Sequence, residues 1–98
     1  MNSRGEKKVI AVTGEFTIKN KYGIHARPAA LFVKAASRFD SEVLVEKGGN
    51  VVSGKSIMGL MTLEASLGTK LIITCKGHDA KDVLAELGAL IEGGFDEE

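Results

Sequence analysis

Three side chains in this chain are ready nucleophiles near neutral pH: two histidines, His25 and His78, and a single cysteine, Cys75. Of these, His25 has the setting of a nucleophile. It lies in Gly23-Ile24-His25-Ala26-Arg27-Pro28-Ala29-Ala30, where Pro28, with no N–H and a fixed φ, suits the first turn of a helix. The helix must then begin between His25 and Arg27. First-turn N–H groups have no intrahelical partner, and together with the helix dipole they attract phosphate and other anions. A phosphoryl group carried by His25 would therefore meet a cradle made by the backbone of Ala26 and Arg27. The guanidinium of Arg27 adds a planar fork of donors suited to phosphate oxygens.

A neutral imidazole is nucleophilic through its unprotonated nitrogen. Nδ1, nearer the backbone, can face the free N–H groups while Nε2 points outward, so Nδ1 is the expected point of attack. Taken alone, the His-x-Arg-Pro string also fits a surface loop with a solvated arginine. His78, in Gly77-His78-Asp79, has no comparable phosphate cradle and reads as a turn residue. Cys75 shares one face of a β-prone run with Leu71 and Ile73, which makes it a small buried hydrophobe and not a nucleophile. One cysteine excludes an internal disulfide, and with only two histidines a cysteine–histidine zinc site is not expected.

A second motif settles the context. Gly-Ile-His-Ala-Arg-Pro-Ala resembles the active-site segment of the HPr family, the histidine phosphocarriers of the bacterial sugar phosphotransferase system. Lys55-Ser56-Ile57-Met58-Gly59-Leu60-Met61, about thirty residues on, is similar to that family's second signature, and the resemblance runs from about Glu15 to about Glu92. It implies an α+β fold, an open-faced β-sandwich of order β-α-β-β-α-β-α with a four-stranded antiparallel sheet and three helices on one side. The phosphocarrier domain is expected over 13–98, after an N-terminal extension, 1–12, in which residues 1 to 8 are polar, aperiodic and expected to be disordered.

The resemblance also implies a function. His25 would accept a phosphoryl group from phosphoenolpyruvate-dependent Enzyme I and pass it to the IIA domains of sugar permeases. The protein would be a carrier acted on by enzymes and not itself an enzyme, with no metal or cofactor. Ser56 resembles the family's regulatory serine, a substrate for an HPr kinase/phosphorylase, and its modified form would address a transcriptional regulator. Two alternatives stand beside this: a regulatory carrier of a nitrogen-linked branch, and a non-catalytic ferredoxin-like binding domain.

Composition narrows the classes further. Thirteen basic and thirteen acidic residues cancel, and one tyrosine and four phenylalanines with no tryptophan give no stacking platform, so nucleic acid is not an expected partner. No apolar run approaches the ~18 residues of a membrane span, and the four apolar residues after the polar start are too few for a signal-peptide core. Insertion into a membrane is not expected, and a reducing, cytoplasmic setting is.

The elements that must position His25 follow from periodicity. Phe16 and Ile18 alternate with polar neighbours in a first strand over roughly residues 13 to 19, and Val9-Ile10-Ala11-Val12 either prolongs it or adds an edge. Ala29, Phe32, Val33 and Ala36 form one helical stripe ending near Arg38, which leaves Leu31 and Ala35 on the outer face, as partner contacts or as ordinary exposed apolar residues. Val43 and Val45 belong to a second strand, Gly48-Gly49-Asn50 to a hairpin, and Val51-Val52-Ser53 to the returning strand. Ser56 is the natural N-cap of a short helix. Leu60 and Leu63 face its core side, and Ile57, Met58 and Met61 the outer side, a flexible apolar surface for docking partners. Asp79 is expected to cap a last helix carrying Val83, Leu84, Leu87, Leu90 and Ile91, which Gly93-Gly94 ends. Phe95 and the carboxylates after it read as a frayed tail.

Overall fold

A computed structural model describes residues 9–97 of the chain; the disorder expected of residues 1 to 8 lies outside them. Seven elements follow one another: β1 (Ala11–Thr17), α1 (Ala26–Ala36), β2 (Glu42–Lys47), β3 (Asn50–Ser53), α2 (Ile57–Thr62), β4 (Lys70–Lys76) and α3 (Ala80–Glu92). The four strands form one antiparallel sheet in the order β1-β4-β2-β3. This is the α+β open-faced sandwich expected from the sequence. Ala11 and Val12 pair with Lys76 and Cys75, so the apolar segment before residue 13 prolongs the first strand and adds no new edge.

Alternation decides which face of the sheet is covered. Along β4, Leu71, Ile73 and Cys75 are fully buried while Lys70, Ile72 and Lys76 are exposed, the period of two that puts successive side chains on opposite faces. On the open face Thr13 and Thr74, direct register partners, share a hydrogen bond between their hydroxyls at 3.2 Å. The hairpin between β2 and β3 turns through Gly48 and Gly49, with φ of 55° and 90°. Both central residues of such a turn need positive φ, which glycine adopts without steric penalty.

The covered face packs against the helices. Ala29, Phe32 and Ala36 of α1 and Val83, Leu87 and Ile91 of α3 have no exposed surface, and burial of each large apolar side chain stabilises the fold by about 1.5–3 kcal/mol. One expectation for α1 is corrected. Ala35 is buried and Leu31 half-buried, because α1 is flanked by both α2 and α3 and so has two covered stripes; the pair lines a shallow groove with Ala89 and Leu90 of α3. A single-stripe pattern assumes one neighbour.

The short helix α2 is held by docking more than by propensity. Gly59 passes so close to the sheet that a Cβ there would lie 3.2 Å from Val52 Cβ. Lys47 donates from Nζ to the carbonyls of Leu63 and Glu64 at 3.0 and 3.2 Å, neutralising the C-terminal end of the helix. Lys55 donates to Phe39 O at 2.8 Å and fastens the other end to the loop after α1.

Two expectations at chain turns also change. Asp79 stands at the N-cap position of α3 but makes no side-chain cap bond. Its carboxylate instead accepts from Asp40 N at 2.9 Å, from Ser41 N at 3.0 Å and from the Ser41 hydroxyl, clamping the α1–β2 loop. Phe95 is not frayed: it is fully buried in a short 3-10 turn, Gly94–Asp96. Gly94, Phe95 and Asp96 have φ of 65°, 56° and 60°, a left-handed run that costs a non-glycine residue roughly 1–2 kcal/mol. The buried ring offsets that strain, and so the chain after α3 folds back toward the β1–α1 loop.

Candidate functional site

His25 is the N-cap residue of α1, with extended φ and ψ of −96° and −166°. Its carbonyl accepts from Ala29 N at 3.0 Å, the first bond of the helix. Pro28, third in the helix, has no N–H to offer. Among the described residues, the N–H groups of Ala26 and Arg27 have no backbone partner, and the His25 side chain does not cap them. The structure therefore places two free donors and an uncapped ring nitrogen, Nδ1, at one helix start. Arg27 is exposed and forms no ion pair among the described residues, so its fork is free for an incoming anion.

The loop that presents His25 is rigidly held. Gly23, with φ of 67°, sits against the chain after α2, where a Cβ would fall 2.2 Å from Ala65 O; no other residue fits this conformation and this approach together. Ile24 donates to that same carbonyl at 2.8 Å, and His25 N donates to Gly23 O at 3.1 Å. Tyr22, largely exposed, meets the His25 ring edge-on with centroids 6.4 Å apart.

The far side of the ring differs from the sequence reading, in which Nε2 pointed outward. Nε2 lies 3.1 Å from Glu97 Oε2, and the imidazole remains 43% exposed. The other Glu97 oxygen accepts from Asn20 Nδ2 at 2.9 Å, and the same amide donates to Gly23 O at 2.8 Å. Asn20 is buried. Sequence reasoning missed both residues, since Asn20 looked only like a break before the histidine and Glu97 like part of a loose acidic end. The buried Phe95 ring two residues earlier was the available signal.

Ser56 is the N-cap of α2, and its hydroxyl accepts from Gly59 N at 2.9 Å. Leu60 and Leu63 are buried, whereas Ile57, Met58 and Met61 are exposed, Met58 to 76%. The two faces of α2 thus divide as its sequence suggests. Cys75 is fully buried, and burial first, then the Asp79 charge, pushes its thiol pKa up. It is a core residue. His78 Nε2 lies 3.0 Å from Asp40 Oδ2, and Asp40, His78 and Asp79 bring ligand-type atoms within 4.8 Å of one another. Asp79 already spends its oxygens on the donors of Asp40 and Ser41. No helix among the described residues is long and apolar enough to cross a membrane.

The structure is thus an antiparallel open sheet covered by three helices, with a part-exposed histidine at the N-cap position of the first of them beside two free N–H donors. The HPr family model, described as the PTS HPr component phosphorylation site, matches residues 12–93. The chain belongs to the HPr family of phosphotransferase-system phosphocarriers. It is 47% identical over 81 residues to phosphocarrier protein HPr of Borreliella burgdorferi, covering 83% of this chain and 94% of the relative. It is likewise 47% identical over 75 residues to HPr-like protein Crh of Bacillus subtilis, covering 76% of this chain and 88% of the relative. The crystal structure of a phosphocarrier protein HPr from Bacillus anthracis superposes with a TM-score of 0.80 at 42% identity, covering 83% of this chain and 96% of that one. Membership in this family sets aside the ferredoxin-like binding domain as an alternative.

Proposed function

We propose that His25 is the phosphoryl acceptor, that it is loaded at Nδ1 by Enzyme I, and that it discharges to the IIA domains of sugar permeases. The observation that carries this reading is the histidine at the start of α1 with an uncapped Nδ1 beside the unpartnered N–H groups of Ala26 and Arg27. Donors fixed in advance stabilise a transferring phosphoryl group without further catalytic residues, and a phosphoimidazole is labile enough to be handed on. The carrier has no turnover of its own, and its chemistry calls for no metal or cofactor. Its working setting is the cytoplasm.

Docking of Enzyme I and IIA domains is assigned to the exposed Ile57, Met58 and Met61 of α2, where flexible apolar side chains suit several partners. Ser56, at the edge of that face, is the regulatory site for an HPr kinase/phosphorylase, and its phosphorylated form is recognised by a transcriptional regulator. The test is intact mass after incubation with phosphoenolpyruvate and Enzyme I. One acid-labile phosphate that is lost on addition of a sugar-specific IIA domain is the expected result. An adduct that discharges only to a nitrogen-branch partner would assign the chain to the regulatory branch, and no adduct at all would overturn the reading.

A further inference from the structure

We infer that Lys47 is a positioning residue for the His25 reaction: it holds Glu64 in a left-handed conformation and so fixes the carbonyl, Ala65 O, on which the loop carrying His25 rests. The inference rests on the phosphocarrier reading and adds to it a group on another strand that sets where the imidazole stands. Direct contacts connect the two residues. Ile24, immediately before the histidine, donates to Ala65 O at 2.8 Å. Gly23 is pressed on the same segment, where a Cβ would lie 2.2 Å from Ala65 O and 2.8 Å from Ser66 Cα, so a shift of this segment passes to the loop by contact. Ala65 is buried, and Glu64 before it has a φ of 52°. Lys47, the last residue of β2, donates to Leu63 O at 3.0 Å and to Glu64 O at 3.2 Å.

The two carbonyls that Lys47 binds belong to the peptide planes on either side of Glu64 Cα. The angle between those planes is set by φ and ψ of Glu64, so one ammonium bonded to both oxygens fixes that residue's conformation. Glu64 stands just past the C-cap Leu63 and donates to Met61 O at 3.1 Å, the position where a helix commonly ends on a left-handed glycine. A residue with a Cβ resists this conformation, and such backbone persists only where its surroundings hold it. The Glu64 side chain is exposed and provides no hold of its own. Neither Glu64 nor Lys47 forms an ion pair among the described residues, so the ammonium is committed to the two carbonyls.

Beyond Glu64 the chain enters the core at Ala65, and the plane that Lys47 orients leads directly to the carbonyl that Ile24 uses. Transfer makes this placement matter. The imidazole and the N–H groups of Ala26 and Arg27 must meet one phosphoryl group together, and a displacement of about 1 Å can cost about a hundredfold in rate. Lys47 exchanges no proton with the reacting groups and acts through the backbone alone.

The experiment places Lys47→Met, which keeps the stem and removes the donors, in two backgrounds of the full chain: the parent and Glu64→Gly, whose glycine adopts positive φ without help. In the parent background, phosphoryl transfer at saturating Enzyme I should fall roughly tenfold, a moderate displacement of the reacting group, with the half-saturating Enzyme I concentration unchanged. The Ile24 amide should exchange its hydrogen roughly tenfold faster as its bond to Ala65 O opens locally, while the amides of β4 keep their protection. In the Glu64→Gly background the same substitution should change both readings by less than about twofold, because the two residues act as one unit. A contact between the Lys47 charge and Enzyme I would be lost whatever residue follows Leu63, and a general loss of stability would raise exchange throughout β4. An unchanged transfer rate in Lys47→Met overturns the inference, and so does an equal loss in both backgrounds or an Ile24 exchange rate equal to the parent's. Should the parent protein accept no phosphoryl group at all, the carrier reading fails, while Ile24 exchange in the two backgrounds still decides whether Lys47 holds the loop.

Discussion

Asp79 and Ser41 are joined twice, the carboxylate accepting from both the amide and the hydroxyl of the serine, and through this pair the start of α3 holds the loop between α1 and β2. Ser41 is buried. The Ser41 hydroxyl, then the amides of Asp40 and Ser41 and the nearby His78, hold the Asp79 carboxyl at about 2, below its ordinary 3.8. A carboxyl with a lowered folded pKa contributes stability that is fully present above its unfolded value and is lost as pH falls through the folded one. Asp79→Asn should therefore lower the melting temperature at neutral pH. The gap between variant and parent should shrink between pH 4 and pH 2, the interval bounded by the ordinary and lowered values. A gap that stays constant across that range, followed by circular dichroism, would show that the clamp does not depend on charge.

The C-terminal turn invites a second test. Phe95 is fully buried and held at a φ of 56°, so truncation removes the packing that offsets a left-handed backbone. Phe95→Ala should destabilise the fold by about 3 kcal/mol, the lower end for losing a buried phenylalanine, and lower the melting temperature by more than ~10 °C. It should also release Glu97 from His25, since the anchor lies two residues away. A melting temperature within a degree or two of the parent would mean that the turn adds nothing to the core.

At the site itself, Arg27→Lys keeps the charge and loses the planar fork. Single-turnover transfer from Enzyme I should slow by roughly tenfold while the adduct still forms, because a point charge cannot bind two phosphate oxygens side by side. Equal rates for variant and parent would return Arg27 to the role of a solvated neighbour. His25→Ala serves as the blank, with no adduct and an intact fold expected of an exposed ring.

How much of this was legible beforehand depended on whether the cause was local. Pro28 and the apolar stripe behind it place the start of α1, and alternation places Leu71, Ile73 and Cys75 inward, because both signals are written within a few residues. The division of α2 into a buried Leu60–Leu63 side and an exposed Ile57–Met58 side is local in the same sense. Long-range pairings carry no such trace. Asp79 looks like any N-cap until Ser41, 38 residues earlier, arrives beside it. Glu97 meets His25 across 72 residues, through a turn whose left-handed conformation no propensity favours. Ala35 is buried for a related reason, since a helix with two packing neighbours buries residues that a one-stripe pattern assigns to solvent.

Ser56 offers the last test. Its hydroxyl accepts from Gly59 N at 2.9 Å, so a phosphate there would bring about −1.5 to −2 charge to the N-terminal end of α2. The free N–H groups and the dipole of that end accommodate negative charge, and the fold should survive. Docking should not, because Ile57 and Met58 are exposed immediately beside the serine, and a partner covering them would have to bury the new charge or oppose it with carboxylates of its own. Ser56→Asp imitates part of that charge with fewer acceptor oxygens. Its melting temperature should match or slightly exceed that of Ser56→Ala, which loses the cap at a cost of about 1 kcal/mol. Its loading by Enzyme I should slow at low ionic strength and recover partly as salt shortens the reach of the added charge. Loading as fast as the parent at low salt would rule out electrostatic blocking on this helix, and Ser56 would then be a capping residue and nothing more.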